Sequence, residues 1–441
     1  MDTNVKAADR LKLVCLGLSY VFSFAYVYRF YLNISQELDL VYLVVLAIAA
    51  IVWLELTIRQ KVLLGDLEKS KKRTVETRFW EVAIVLLALN SYFGHGRYYR
   101  EYTMIFLHAS IVYAVLCGTG HLFRDGSSIF IPGDLINGFC RIPFANFPGR
   151  IIAVIDSVRL RTGKPEEDDS ATYDPDKNAN RGPKALLGIG IALLSFFILI
   201  IAFNKLADID GNFDSARVAI SRFFINFRID QDIVLTLFLS IPVGMFLFGL
   251  FQGSVRMKTD YEKRVEANVT RGMAKAKIIS KILFAIILMI FIGVYLAFFI
   301  SQASYMFSGF FGILPEEYTA SEYAVSGFYE LIEVVIINFL LLALIKAFSV
   351  EGKLVKILTV ILMAESALFS TIFASKIILY MSRFGYTEAR TVGLWGTAVV
   401  FVGTILAIIN LTTKHKKVFA PWFWFSVGSY SLMNFIAYLF R

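Results

Sequence analysis

Long apolar blocks constrain this chain more than any other feature. They fall at 11–30, 38–58, 79–93, 104–123, 185–203, 232–253, 278–304, 327–348, 354–379, 391–411 and 418–440. A bilayer core of about 30 Å is crossed by roughly 20 apolar residues in a helix. One such block can be a buried core helix, but eleven in succession outrun any soluble core. An isolated strand would leave its backbone groups unpaired in lipid, and nothing alternates like a barrel. The expected fold is therefore all-α: a polytopic transmembrane helical bundle of about 11 spans. Block 79–93 is the weakest, being short and carrying Glu81 near its start.

Composition agrees, with 57% apolar and 18% charged residues against roughly 45–50% and about 25% in soluble domains. The net charge of +9 is no nucleic-acid signature, because the basic residues sit in short loops between apolar blocks rather than on a face with interleaved aromatics. Their placement orients the chain. With the N-terminus in the cytoplasm, the inner side holds 33 Lys and Arg and the outer side 11, the asymmetry expected of a cytoplasmic membrane protein. The inner runs are Lys69, Lys71, Lys72, Arg73, then Arg256, Lys258, Lys263, Arg264, then Lys414, Lys416, Lys417. Eleven spans put the C-terminus outside. Met1 to Arg10 lead into an apolar run without a small-residue cleavage pattern, which reads as a retained first span.

Two interruptions organise the chain. Residues 129–148 carry Pro132, Pro143 and Pro148, so no continuous span is expected there. In 149–161, Ile151, Ile155 and Val158 recur at helical spacing, edged by Arg150, Arg159 and Arg161. This predicts a helix lying on the inner leaflet. Lys164–Lys184 is rich in Asp, Glu, Asn and Pro and reads as a disordered linker. The chain divides into a four-span part at 1–123, a cytoplasmic segment at 124–184 and a seven-span part at 185–441. A second interfacial helix is expected outside, where Ile220, Phe223, Phe224 and Phe227 share a stripe.

Motifs of chemistry are absent. Cys15, Cys117 and Cys140 are isolated, and the histidines show no ligand spacing, so neither a metal nor another cofactor is expected. No phosphate loop or nucleophile elbow occurs. Nothing marks an enzyme, although intramembrane catalysis stays open. Ionisable residues inside spans are costly and so are the functional candidates. Glu330 and Glu333 lie one turn apart on the eighth span and share a face. Glu365 lies near the middle of the ninth, the position of a proton relay. Lys376 lies toward its outer end, Arg383 and Arg390 flank the next turn, and Glu322 precedes the eighth span. These seven form the candidate polar cluster: Glu365 lies at mid-depth, and the other six are expected to converge toward the outer leaflet, as a polar site or as a salt-bridge network.

Two stretches carry a family resemblance. Leu314-Pro315-Glu316-Glu317-Tyr318-Thr319-Ala320-Ser321-Glu322-Tyr323-Ala324-Val325-Ser326-Gly327-Phe328-Tyr329-Glu330-Leu331 resembles the LPEG-x-T-x-AEYAR-x-GF-x-EL stretch of a bacterial membrane-protein family catalogued only as a domain of unknown function. Phe384-Gly385-Tyr386-Thr387-Glu388-Ala389-Arg390 resembles its YGLT-x-x-R turn, followed by a span containing Trp395. The resemblance covers roughly 185–440. Glu317 stands for the family's Gly and Val325 for an Arg, which puts any ion pair of that Arg in doubt. The resemblance implies a multi-spanning protein of a prokaryotic plasma membrane and no particular activity. The functional expectation is transport or sensing of a small solute, ion or lipid-linked substrate. The alternative is a scaffold or regulatory partner whose inner basic loops hold anionic lipid or an unidentified protein.

Overall fold

The structure, a computed structural model, describes residues 2–29, 40–67, 71–93, 97–123, 126–128, 130–162, 231–258, 260–277, 279–303, 307–312, 320–350, 352–385, 387–413 and 418–439. The long helices are α1 (Asp2–Val27), α2 (Leu40–Leu63), α3 (Lys71–Phe93) and α4 (Arg97–Thr119). Short α5 (Ile131–Ile136) runs through a π turn at Asn137–Arg141 into α6 (Ile142–Ala145), and α7 (Gly149–Thr162) follows. Then come α8 (Gln231–Gly253), α9 (Asp260–Lys275), α10 (Lys281–Ser301), a 3-10 turn at Ser308–Phe311, α11 (Ala320–Phe348), α12 (Lys353–Phe384), α13 (Glu388–Thr412) and α14 (Phe419–Leu439).

Ten of the eleven expected blocks lie in described residues, and each coincides with a long helix. Seven of these helices, α1, α2, α4, α8, α10, α12 and α13, are long and apolar enough to cross a membrane. The block at 185–203, the linker at 164–184 and the expected external helix lie outside the described residues. The chain forms two compact units, Met1–Tyr92 with Met104–Arg264, and Phe93–Thr103 with Val265–Arg441.

In the first unit, Trp53 stacks on Phe251 with centroids 4.3 Å apart, and Trp80 packs on Tyr113 at 4.8 Å. The ends of α2, α4 and α8 meet: the Lys61 ammonium donates to the carbonyls of Ser254 (3.0 Å) and Arg256 (2.6 Å), and Lys258 donates to Leu122 O (2.7 Å). The C-terminal ends of these three helices therefore lie together. Arg78 bridges Glu55 at 2.8 Å and Glu81 at 2.5 Å, which holds α3 to α2.

The proline-rich stretch is broken helix. Pro132 stands in the first turn of α5, where a missing N–H removes no helical bond, and Pro143 follows the π turn at the start of α6. α6 then presses against α8. A Cβ at Gly249 would lie 2.4 Å from the Pro143 carbonyl oxygen, so glycine alone permits that approach.

α7 exposes Ile151, Ile155 and Val158, the apolar face expected of an interfacial helix. Arg150 departs from the expected pattern. It was placed on the helix's polar edge, yet it is 3% exposed. Its guanidinium lies between α1 and α8, over the Tyr20 ring at 3.6 Å, and Nη1 donates to the carbonyls of Ser240 (3.4 Å) and Ile241 (3.2 Å). The long side chain reaches backbone acceptors that its stem, packed in the bundle, cannot exchange for water.

In the second unit α12 is central, packed on α10, α11, α13 and the 3-10 turn. The start of α10 is tied to the end of α11, because Ile279 N–H donates to Phe348 O (3.0 Å) and Val350 N–H to Ile279 O (3.1 Å). α10 is apolar on all sides, with a mean hydropathy of 3.0, and Ile282, Ile290, Val294 and Ile300 are exposed. Its inner face, Phe284, Leu288, Tyr295 and Phe299, joins the core around Leu362, Phe369 and Phe373. Trp395 of the family-like stretch docks α13 on α14, its indole N–H reaching Ser429 Oγ at 3.0 Å.

Candidate functional site

One group of buried polar residues in the second unit, Asn338, Glu365, Ser366 and Ser370, gathers around the middle of α12. Ser366 donates to the Leu362 carbonyl at 2.9 Å, a bond within its own helix. Its one hydrogen is thereby spent, so toward Asn338 it must accept. The Asn338 amide nitrogen does donate to it, at 2.9 Å. That fixes the amide orientation and turns Oδ1 toward α10, where the Tyr295 hydroxyl donates to it at 2.8 Å. Every hydrogen in this chain of bonds points toward α12. The network joins α10, α11 and α12, and both Asn338 and Ser366 are fully buried.

Glu365 lies beside this network. It sits about 18 Å from the start of α12 at 1.5 Å per residue and is 7% exposed. Among the described residues, neither carboxylate oxygen has a hydrogen-bond partner. Lys376 is 0% exposed and eleven residues further along. It shares Glu365's helix face but lies roughly 16 Å away along the axis, so the two do not meet directly. The 3-10 turn covers α12 at that level, since a Cβ on Gly309 would lie 2.8 Å from Ser375 Oγ.

Glu333 is exposed on α11. Glu322 and Glu330 lie on the same helix, and their side chains are outside the described residues. Arg383, exposed in the last turn of α12, donates to the Gly312 carbonyl at 3.0 Å. Arg390 donates to the Gly385 carbonyl at 2.9 Å and lies over the Tyr380 ring at 3.8 Å. Gly385, at φ +76°, ends α12, so Arg390 clamps the reversal between α12 and α13. This gives the arginine of the YGLT-x-x-R-like turn a local task. Sequence reading missed Tyr295, Asn338 and Ser366. The signal was Asn338, an amide in the apolar run Val334–Leu342.

Seven helices long and apolar enough to cross a membrane mark a helical membrane protein. The chain belongs to a family described as a domain of unknown function, DUF4153, whose sequence profile matches residues 98–438. The match begins well before residue 185 and takes in α4 and the broken helix after it. Comparison with curated proteins and with solved structures returned no match.

Proposed function

We propose that this is a multi-pass protein of a prokaryotic cytoplasmic membrane, spanning it about eleven times, that transports or senses a small solute, ion or lipid-linked substrate through its second unit. Glu365 is its proton-exchanging group, and Lys376 sets the charge balance further along the same helix face. One observation carries this reading. A carboxyl deep in a membrane-length helix has no donor among the described residues and lies beside a Tyr–Asn–Ser chain whose hydrogens all point one way. A carboxylate out of water and without donors is costly, and intramembrane carboxyls are typical of ion and proton pathways. Glu322, Glu330 and Glu333 belong to the approach from the outer side.

Dicyclohexylcarbodiimide, which attacks protonated carboxyls in apolar surroundings, tests the reading. In proteoliposomes of the full chain it should modify the peptide containing Glu365, less as pH is raised, and Glu365→Gln should abolish that label without lowering the melting temperature. A Glu365 that stays unlabelled at every pH is sealed, and the reading fails. A second reading, a scaffold or regulatory partner, draws on the exposed apolar face of α7, which suits a lipid surface flanked by basic loops. It survives the failure of the first.

A further inference from the structure

The first unit contains a cavity of about 630 Å³ between α1, α2, α4, the α5–α6 stretch and α8. Protein interiors leave few voids larger than a water molecule, whereas ligand sites run to roughly 300–1,000 Å³. The walls are stiff. Phe144 meets Phe246 edge-on at 5.7 Å, Phe251 is stacked on Trp53, and the Pro143–Gly249 contact holds α6 against α8. The gap cannot close by small shifts, and water gains nothing in an apolar cavity.

The lining is aromatic and aliphatic apart from Tyr26 and His108. These two are hydrogen-bonded to each other. His108 Nδ1 lies 2.6 Å from the Met104 carbonyl, which can only accept, so Nδ1 carries the hydrogen of the neutral ring. Nε2 is then the acceptor and the Tyr26 hydroxyl its donor. With its hydrogen committed, the Tyr26 oxygen can only accept from anything entering the cavity. The surrounding α1, α2, α4 and α8 are all of membrane length, so the medium outside is hydrocarbon.

We infer that this cavity binds a long-chain lipid, its hydrocarbon filling the aromatic pocket and a hydroxyl of the lipid donating to the Tyr26 oxygen. This stands apart from the Glu365 reading, since it concerns the other unit and different helices.

The test uses the full chain in vesicles of phosphatidylethanolamine and phosphatidylglycerol with two photoactivatable probes, a diazirine-bearing hexadecanol and its methyl ether. The alcohol should label peptides within 137–147 and 242–251. Ala50→Phe, which fills the pocket, should cut that labelling at least tenfold with an unchanged melting temperature, and Leu247→Trp serves if Ala50→Phe fails to fold. The ether should label several-fold less, and Tyr26→Phe should make the two probes equal. Labelling that is absent, lies outside these segments, or persists when the pocket is filled overturns the inference. So does equal labelling by both probes in the unsubstituted protein.

Discussion

His121 follows the last turn of α4 and is 5% exposed. Burial foremost, and then the nearby cations Lys61, Lys258 and Arg141, hold its pKa well below the usual 6.5. Thr119 Oγ1 lies 3.2 Å from its Nδ1. The unfolded chain takes up a proton here near pH 6.5 and the native fold does not. Below that pH the unfolded state binds more protons, so stability falls as pH is lowered from about 7.5 to 5.5, by at most about 1.4 kcal/mol per unit. Melting temperature should therefore drop across this window, and much less so for His121→Asn. Equal slopes would mean that the buried ring accepts its proton. At this scale the sequence was partly legible. Glu365 and Lys376 stand out because formal charge interrupts an apolar run. Asn338 does not, because an amide bears no charge, although it bonds both neighbouring helices. Arg150 reads as an edge residue because periodicity places its Cα and says nothing of where a long side chain ends.

Among the elements, the broken helix 131–145 depends most on distant residues. Pro132 and Pro143 announce that it breaks. Its seat against α8 depends on Gly249, about a hundred positions away, so local pattern could not supply it. Gly249→Ala would drive a methyl into the Pro143 carbonyl, 2.4 Å from the new Cβ, and should cost about 1–3 kcal/mol. Gly293→Ala on α10 meets nothing within 4 Å and should be neutral or stabilise by up to about 1 kcal/mol. The two melting temperatures in one detergent compare them directly, and equal effects would show that α6 does not press on α8. α7 shows the same division, with its exposed apolar stripe readable at helical spacing and its anchoring by Arg150 between two other helices not readable.

For the whole molecule, helix placement was the most legible property, because every described block of membrane length became a long helix. The charge asymmetry in the sequence predicts a direction for the expected eleven spans. A chain lacking its three cysteines, Cys15, Cys117 and Cys140, permits a direct measurement. With Glu266→Cys, a membrane-impermeant maleimide should react only in inside-out vesicles. With Thr387→Cys it should react only in right-side-out vesicles. Labelling of both from one side would overturn the span order. The partition into two compact units could not be read from the sequence, because α8, beyond the linker, packs with α1.

The all-round apolarity of α10 has a consequence for how its rotation is chosen. In hydrocarbon, lipid tails are as apolar as the helix itself, so greasy surface alone does not prefer one rotation of a spanning helix over another. The Tyr295 hydroxyl on the Asn338 amide acts as an index pin. It sets the angle and height of a smooth rod against its neighbours, and through Asn338 it ties that setting to Ser366, next in sequence to Glu365.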